Sequence, residues 1–370
     1  MDGFLPEELI YQILIRVDAL SLLRFKIVCK HWRFLISDSK FKHAHLRYSN
    51  NKPDQVIFSW IHNMRLTFPY DDINCYSINM KENIMRPQEI QFPGEDQLRL
   101  RYSCNGLLLL QPQHRYHDNL IIYNPVTRAR TDLPPASDYC PNLYLESCHE
   151  WALVHDTYSR KYKVFGIKST VEYFVFTQGQ TDWKYLHKLE TPYGREFTDT
   201  DYSEVMCLEN KLYWTATMGT GKSRGMCSIY SIDVTDDELM TSTGIPFKVN
   251  TFHRLSEVSG SLYITNIFGN GLETWVLKDR DKNLWSKCCR ICYGAHLLIN
   301  PYLGTFVVPR DIKDSTSFLD HIRFFLFDDD DRLTMYDVKN KEMTKIALKH
   351  KKGSIEGRHY FHINSLLSWE

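Results

Sequence analysis

The chain has 370 residues, 43% of them apolar and 14% aromatic, which is enough to bury the core of one large domain or of two unequal ones. Lys plus Arg and Asp plus Glu both number 45, so no net charge attracts nucleic acid or an anionic membrane surface. No stretch approaches the roughly 18 consecutive apolar residues of a membrane span, and we expect neither a nucleic-acid nor a membrane partner.

The cysteines and the first residues indicate the cellular compartment. Ten cysteines are scattered through apolar contexts such as residues 103–110, which is typical of small buried thiols in a reducing compartment. The first residues lack the basic then apolar pattern of a secretory leader. We therefore expect the protein in the cytoplasm, the nucleus or both.

A first helix is predicted near the N-terminus. Pro6 suits the first turn of a helix, and Glu7 and Glu8 complement the positive end of the helix dipole. Apolar residues follow at helical spacing as far as Val17.

Two more short helices are predicted within residues 1–48. Asp18 is a suitable N-cap for the second helix, which carries four apolar residues within a seven-residue stretch. Cys29, Trp32 and residues 34–36 mark the third. The first two helices are apolar around more than one face, so part of their surface must be covered from outside. Either the rest of this chain or a second protein could cover it, and the spacing leaves both open.

The same residues carry a resemblance to a known family. Seventeen of them stand in the order and spacing of the F-box, in the version common in plants: Leu5, Pro6, Glu8, Leu9, Ile13, Leu14, Arg16, Ser21, Leu22, Leu23, Arg24, Phe25, Lys26, Val28, Cys29, Lys30 and Trp32. The segment resembles an F-box, which implies docking onto the Skp-type adaptor of a cullin-RING ubiquitin ligase.

The resemblance also implies which side chains bind the adaptor. By family, the opening Leu-Pro and the apolar faces of the helices lie at that interface. The residues expected there are Leu5, Pro6, Leu9, Ile13, Leu14, Leu23, Val28, Cys29 and Trp32. Cys29 and Trp32 have an alternative role, which is to hold the three helices together. Val17, Asp18 and Leu20 depart from the plant pattern, but Asp18 can still cap the second helix, so we expect that helix to persist.

Residues 49–55 are predicted to be a linker, and residues 56–370 a single β domain. Short apolar and aromatic runs broken by Asn, Asp, Gly and Pro are typical of many short strands. A strand, a polar turn and a second strand recur, with equivalent aromatic positions at intervals of 53, 54, 45 and 61 residues. These positions are Tyr123, Phe176, Tyr230, Trp275 and Tyr336. The spacing predicts a β-propeller-like domain of about six irregular blades. A β-sandwich is the alternative.

This region resembles the F-box-associated domain found behind plant F-boxes, which is similar in appearance to kelch-type propellers. The matching stretches are residues 103–110, 121–134, 151–167, 211–214, 262–264, 273–279 and 362–369. In that family the domain selects the protein to be ubiquitylated. The S-locus pollen factors are one branch of the superfamily, and no residue here places the chain in that branch.

Four other motifs resemble sites for small ligands or metals but lack a required part. Residues 216–223 end like a phosphate-binding loop, yet a strand pattern follows where a helix N-terminus is needed. His149 and His155 are six residues apart, whereas a zinc-protease helix needs a separation of four. Cys289 and Cys292 form one pair where structural zinc needs two, so buried strand cysteines are favoured.

The fourth of these motifs is the aspartate run at residues 328–331. It lacks the Gly and Glu of a calcium loop, and a hairpin tip is favoured. We therefore predict no catalytic, metal or cofactor residues.

The predicted function is that of a non-catalytic substrate receptor in an SCF (Skp–cullin–F-box) ubiquitin ligase, with an unknown target protein. One alternative is a propeller that binds or converts a small ligand or sugar, with the helices as an internal cap. Another is an F-box protein that binds its adaptor for a purpose other than degradation. Residues 191–204 and 266–273 are candidate recognition loops, although solvated connections are the favoured interpretation of such stretches, and we predict no substrate-binding residue.

Overall fold

The computed structural model describes 22 stretches of the chain, and every structural statement below concerns these residues. They are residues 5–49, 55–62, 70–79, 84–88, 90, 92, 98–112, 120–135, 150–167, 172–187, 205–218, 226–237, 239–245, 252–258, 260–268, 271–279, 282–292, 305–309, 322–327, 333–337, 340–346 and 354–369.

Four helices form the N-terminal part, here called the helical unit. They are α1 (Glu7–Leu14), α2 (Ala19–Phe25), α3 (Lys30–Ser37) and α4 (Ser39–Ser49). The three predicted helices are present, and Asp18 caps α2 as expected, because its carboxylate accepts a hydrogen bond from the Ser21 backbone N–H at 2.9 Å.

The fourth helix was not predicted. Only three helices are predicted within residues 1–48, whereas α4 begins in the polar stretch that follows α3. Asp38 starts this helix, since its carboxylate accepts a hydrogen bond from the Phe41 N–H at 3.0 Å.

Twenty-four strands follow among the described residues. The first twelve are β1 (Gln55–His62), β2 (Tyr70–Asn79), β3 (Ile84–Gln88), β4 (Leu98–Cys104), β5 (Leu107–Pro112), β6 (Ile121–Tyr123), β7 (Arg130–Asp132), β8 (Glu150–Asp156), β9 (Lys161–Ile167), β10 (Glu172–Thr177), β11 (Lys184–His187) and β12 (Met206–Leu208). The others are β13 (Lys211–Met218), β14 (Met226–Asp233), β15 (Leu239–Gly244), β16 (Phe252–Val258), β17 (Ser261–Phe268), β18 (Gly271–Asp279), β19 (Leu284–Cys292), β20 (Thr305–Pro309), β21 (Ile322–Phe327), β22 (Leu333–Asp337), β23 (Glu342–Ile346) and β24 (Ser354–His362).

These strands form six antiparallel four-stranded sheets, which confirms the predicted propeller-like domain of about six blades and not the alternative sandwich. Five sheets each take four consecutive strands, from β4–β7 to β20–β23. The five aromatic positions of the predicted repeat all lie on the third strand of their sheet. The hairpin period in the sequence therefore corresponds to the blade period.

The sixth sheet closes the ring of blades. It has the order β24-β1-β2-β3, so the last strand of the chain pairs with the first, with Val56 opposite Phe361. The first strands of neighbouring sheets contact one another, β24 with β4, β4 with β8, β12 with β16 and β16 with β20. Such closure holds the ring together through backbone hydrogen bonds between its first and last strands.

Apolar side chains fill the spaces between neighbouring sheets. Trp151 and Trp214 are the largest buried side chains and lie in two separate clusters on either side of the β8–β11 sheet. A buried lysine joins that sheet to the next one. The Lys163 ammonium donates to the Val234 carbonyl at 2.5 Å and to an Asp237 carboxylate oxygen at 2.8 Å. Neighbouring blades are thus held by both apolar packing and a paired charge.

The capping carboxylate of Asp18 predicts a pH-dependent part of the stability. Burial alone would raise the pKa of Asp18, but hydrogen bonds from Ser21 and nearby backbone N–H groups lower it below its usual value. This contribution is present above the unfolded-state pKa of about 3.9 and is lost as the pH falls through the lower folded-state value.

We expect D18A to lose about 0.5–2 kcal/mol of helical-unit stability at pH 7, and D18N to lose only a few tenths because Asn also caps. The measurement is urea unfolding followed by circular dichroism at 222 nm between pH 6 and pH 3. The gap between the natural chain and D18N should narrow toward pH 3. An equal loss in D18A and D18N at pH 7 would contradict the capping role.

Candidate functional site

The helical unit has an inner face that packs inside the protein. Leu14, Leu22 and Ile36 are buried in one cluster together with Ala19 and Phe41. Two residues of the β domain complete this cluster. One is Val126, from the turn between β6 and β7, and the other is Leu366, from residues 363–369 after β24, which we call the C-terminal strap. The helices therefore have a shared core with the propeller.

Helix α4 makes the second contact between the helical unit and the propeller. Leu46 lies in the apolar cluster of the propeller that also contains Trp151. His45 bonds back to the helices, with its Nε2 atom 2.8 Å from the Val17 carbonyl oxygen. The helix that sequence reasoning missed is therefore the one that seats the helical unit on the β domain.

A different set of apolar side chains on the helical unit is exposed to solvent. Ile27 is 88% exposed, Phe34 77% and Val28 61%. The exposed residues of this kind within residues 5–34, here called the exposed apolar set, are Leu5, Leu9, Ile13, Leu20, Ile27, Val28 and Phe34. Leu9 and Ile13 are four residues apart and so share one face of α1. Seven large exposed apolar residues within 30 positions are typical of an interaction surface.

The nine predicted adaptor contacts fall into two groups. Six are exposed: Leu5, Pro6, Leu9, Ile13, Val28 and Cys29. The other three face inward. Leu14 is 1% exposed in the shared core, and Leu23 and Trp32 are half-buried against it. Contact of any of the nine residues with an adaptor stays a prediction.

Cys29 and Trp32 connect α2 to α3. The Cys29 sulfur accepts a hydrogen bond from the Trp32 N–H at 3.4 Å and so caps α3. The Trp32 ring lies 5.5 Å from the Phe25 ring on α2, measured between centroids. These contacts match the alternative role considered for both residues, which is to hold the helices together.

Leu20, Ile27 and Phe34 belong to the exposed apolar set but were not among the predicted contacts. A signal for Phe34 was available in the sequence. Phe34 and Ile36 are two positions apart and so lie on nearly opposite sides of α3, and a single inward stripe cannot bury both. Ile36 is fully buried and Phe34 is exposed.

The structure also locates several of the motifs that resembled ligand sites. Strand β14 follows residues 216–223 where a phosphate-binding loop would need a helix, and positions 219–225 lie outside the described residues. The run at 328–331, residues 191–204 and His149 also lie outside them. The prediction of a recognition loop at residues 266–273 is wrong, because these positions form the end of the β17–β18 hairpin, where Phe268 pairs with Gly271.

The cysteine pair of that group lies on β19, as expected of strand cysteines. Cys288 and Cys289 are half-buried, but Cys292 is exposed, so the expectation of burial is wrong for that residue. Strand β19 is the fourth strand of its sheet and has a neighbouring strand on one side only. Burial, followed by the nearby Cys289, raises the pKa of Cys288 to about 11, and this thiol stays protonated at neutral pH.

The described residues contain no group of three or more His, Cys, Asp or Glu side chains that could hold a metal ion. No helix in this part of the chain is long and apolar enough to cross a membrane.

Comparison with known families identifies both parts of the chain. The model of the F-box associated beta propeller domain matches residues 65–366, and the model of the F-box domain matches residues 4–44. The chain belongs to the F-box proteins with an F-box-associated β-propeller domain. F-box proteins are typically non-catalytic adaptor subunits.

Relatives are consistent with this assignment. An F-box protein of Arabidopsis thaliana is 23% identical over 312 residues, which cover 76% of this chain and 67% of the relative. An F-box/kelch-repeat protein of the same plant is 25% identical over 332 residues, which cover 84% of this chain and 83% of the relative. One chain in the crystal structure of a nidogen/laminin complex is similar with a TM-score of 0.46 and 12% identity, over 84% of this chain and 99% of that one.

The two faces of α1 predict losses of very different size for the same Leu-to-Ala substitution. We expect L14A to lose about 2–5 kcal/mol, because it opens a cavity in the shared core. L9A should lose less than about 0.5 kcal/mol, because Leu9 is half exposed. Urea unfolding followed at 222 nm measures both. The matched pair shares one helix and one chemistry, so equal losses would contradict the assignment of inner and outer faces.

Proposed function

We propose that this F-box protein is the substrate-recognition subunit of an SCF ubiquitin ligase. The exposed apolar set of the helical unit docks on a Skp-type adaptor, which connects the chain to a cullin-RING ligase. The propeller binds the target protein. The F-box and the propeller domain together support this role, and the observation that carries it is the exposed apolar set on a helical unit whose other face is already packed.

The distribution of apolar side chains supports adaptor docking over a purely internal cap. The helices do pack on the propeller, as the internal-cap alternative requires, but they do so through Leu14, Leu22, Ile36 and α4. The exposed apolar set is left over after this packing. Burying an apolar side chain of this size contributes about 1.5–3 kcal/mol, so a partner that covers several of them gains substantial affinity.

Catalysis in this proposal needs no reactive group of the chain itself. Holding a target near a charged ubiquitin-conjugating enzyme raises the effective concentration of the reacting groups. The receptor therefore contributes two binding surfaces and the geometry between them. Such a protein would act in the cytoplasm, the nucleus or both, where the ligase and its targets meet.

The test is binding to a purified plant Skp-type adaptor. The variant replaces three exposed residues by Ala: Leu9 on α1, Val28 between α2 and α3, and Phe34 on α3. We expect its Kd to rise about 100-fold or more, since truncation of central apolar contacts costs at least ~1 kcal/mol each. Isothermal titration calorimetry with the full-length chain measures the change.

A matched control replaces three exposed apolar residues on the propeller. Tyr158, Leu284 and Met343 are exposed to a similar degree, and their replacement by Ala should leave the Kd within about twofold. A natural chain that is folded and yet shows no adaptor binding would overturn the proposed function. Equal losses in the variant and the control would show that binding does not depend on the exposed apolar set.

Degradation of the target is a separate question from docking. An F-box protein that binds its adaptor for another purpose would give the same titration. Reconstituted ligase with proximity-labelled candidate targets separates the two, because only a degradative receptor directs ubiquitin chains onto the protein that its propeller binds.

A further inference from the structure

The C-terminal strap is an extended segment that is nevertheless tightly held. It follows β24 and contains no helix or strand. Ser365 is completely buried, and Leu366, Leu367 and Trp369 are 7% exposed or less. Backbone without regular structure is buried only where other groups satisfy its polar atoms. Specific contacts therefore hold this segment in place.

The apolar side chains of the strap pack in two different cores, that of the helical unit and that of the propeller. Leu366 lies in the shared core of the helical unit, beside Leu14, Leu22 and Val126. Leu367 and Trp369 lie in the propeller cluster, where the Trp369 ring is 6.1 Å from Tyr162 and 6.3 Å from Phe176 between centroids. Successive residues of one short segment are thus bound to the helices and to the blades.

One buried asparagine holds the strap backbone. The Asn124 amide nitrogen donates to the carbonyl oxygens of Ser365 at 3.0 Å and of Leu367 at 2.7 Å. Its amide oxygen accepts from the backbone N–H groups of Val126 at 2.8 Å and Thr127 at 3.1 Å. Asn124 is completely buried, so these four hydrogen bonds use the whole side chain.

The turn between β4 and β5 is shaped to receive the strap. The Ser365 hydroxyl donates to the Asn105 carbonyl at 2.7 Å. The next residue, Gly106, has φ +81°, and a Cβ atom there would lie 2.3 Å from the Ser365 hydroxyl oxygen. At the other end of the strap, the Gln178 side-chain amide donates to the Trp369 carbonyl. Turns of two different blades therefore contact the strap.

We propose that the C-terminal strap is the conformational clamp that fixes the orientation of the helical unit on the propeller. In the proposed function this orientation sets where a bound target lies relative to the rest of the ligase. Releasing the strap leaves both binding surfaces in place but allows the helices to change angle. The consequence for ubiquitin transfer rests on the proposed function, whereas the clamp itself does not.

The first test replaces the amide nitrogen of Asn124, the hydrogen-bond donor to the strap, by an oxygen. In N124D the carboxylate keeps an oxygen for the Val126 and Thr127 N–H groups, but its second oxygen replaces the donor that faces the two strap carbonyls. The matched control is N283D. Asn283 is an exposed turn residue whose oxygen accepts from the Trp285 ring N–H, and Asp keeps that acceptor.

The readout is the distance between the two parts of the free protein. Spin labels carried by non-natural amino acids at Lys40 on α4 and Glu342 on β23, both exposed, report it by pulsed electron resonance. We expect the distance distribution of N124D to be about twofold wider than that of the natural chain and N283D, because released helices sample more orientations. A chain ending at Asn364, which lacks the strap contacts, should behave like N124D.

Unchanged distances in both N124D and the shortened chain, with both folded, would overturn the clamp. If N124D unfolds, the same distance measurement on L366A tests the clamp. This substitution leaves Asn124 and its turn intact and weakens only the contact of the strap with the helical unit. The distance measurement uses neither adaptor nor target. A natural chain that fails to bind the adaptor would therefore overturn the proposed function and leave this result standing.

Discussion

The pairing of β24 with β1 is the constraint on which the rest of the structure depends. It joins the last strand of the chain to the first and closes the ring of six sheets. Because β1 follows α4 after a short connection, the same pairing brings the C-terminus back beside the N-terminal helices. The strap can reach the helical core only because the ring is closed in this way. One set of backbone hydrogen bonds thus organises both the propeller and its junction with the helices.

The apolar residues of the helical unit fall into two groups, one buried against the propeller and one exposed to solvent. A unit of about 45 residues gains little stability from its own core, so sharing a core with the propeller stabilises it. This leaves a second group of apolar side chains in solvent, which lowers solubility and gives no stability to the isolated chain. Such exposure is consistent with a partner surface.

In the proposed function, a receptor of this kind acts through geometry as much as through affinity. The rate of a proximity-driven reaction depends on the effective concentration of the reacting groups, and that concentration depends on how stiffly the two binding surfaces are connected. In this chain the connection consists of α4, the turn after β6 and the strap. In the proposed function, the stiffness of the junction would therefore affect the rate of ubiquitin transfer.

Local signals in the sequence determined a large part of this picture. The Asp18 cap, the three short helices and the blade period follow from rules that act over a few residues or at a regular spacing, and the F-box pattern lies within the first 32 positions. The hairpin turn at Asn105 and Gly106 is equally local, since both residues adopt positive φ. These features need no knowledge of distant parts of the chain.

Only the tertiary structure decided which apolar side chains are covered. Helical spacing places Leu9 and Leu14 on α1 alike, but Leu14 meets residues more than 100 positions away and Leu9 meets none of them. The role of Asn124 depends on carbonyl groups 241 and 243 residues further along the chain. The physical reason is that ring closure brings distant segments of the chain together and so determines which side chains are buried and which groups form hydrogen bonds. Local sequence patterns do not indicate which distant segments will meet.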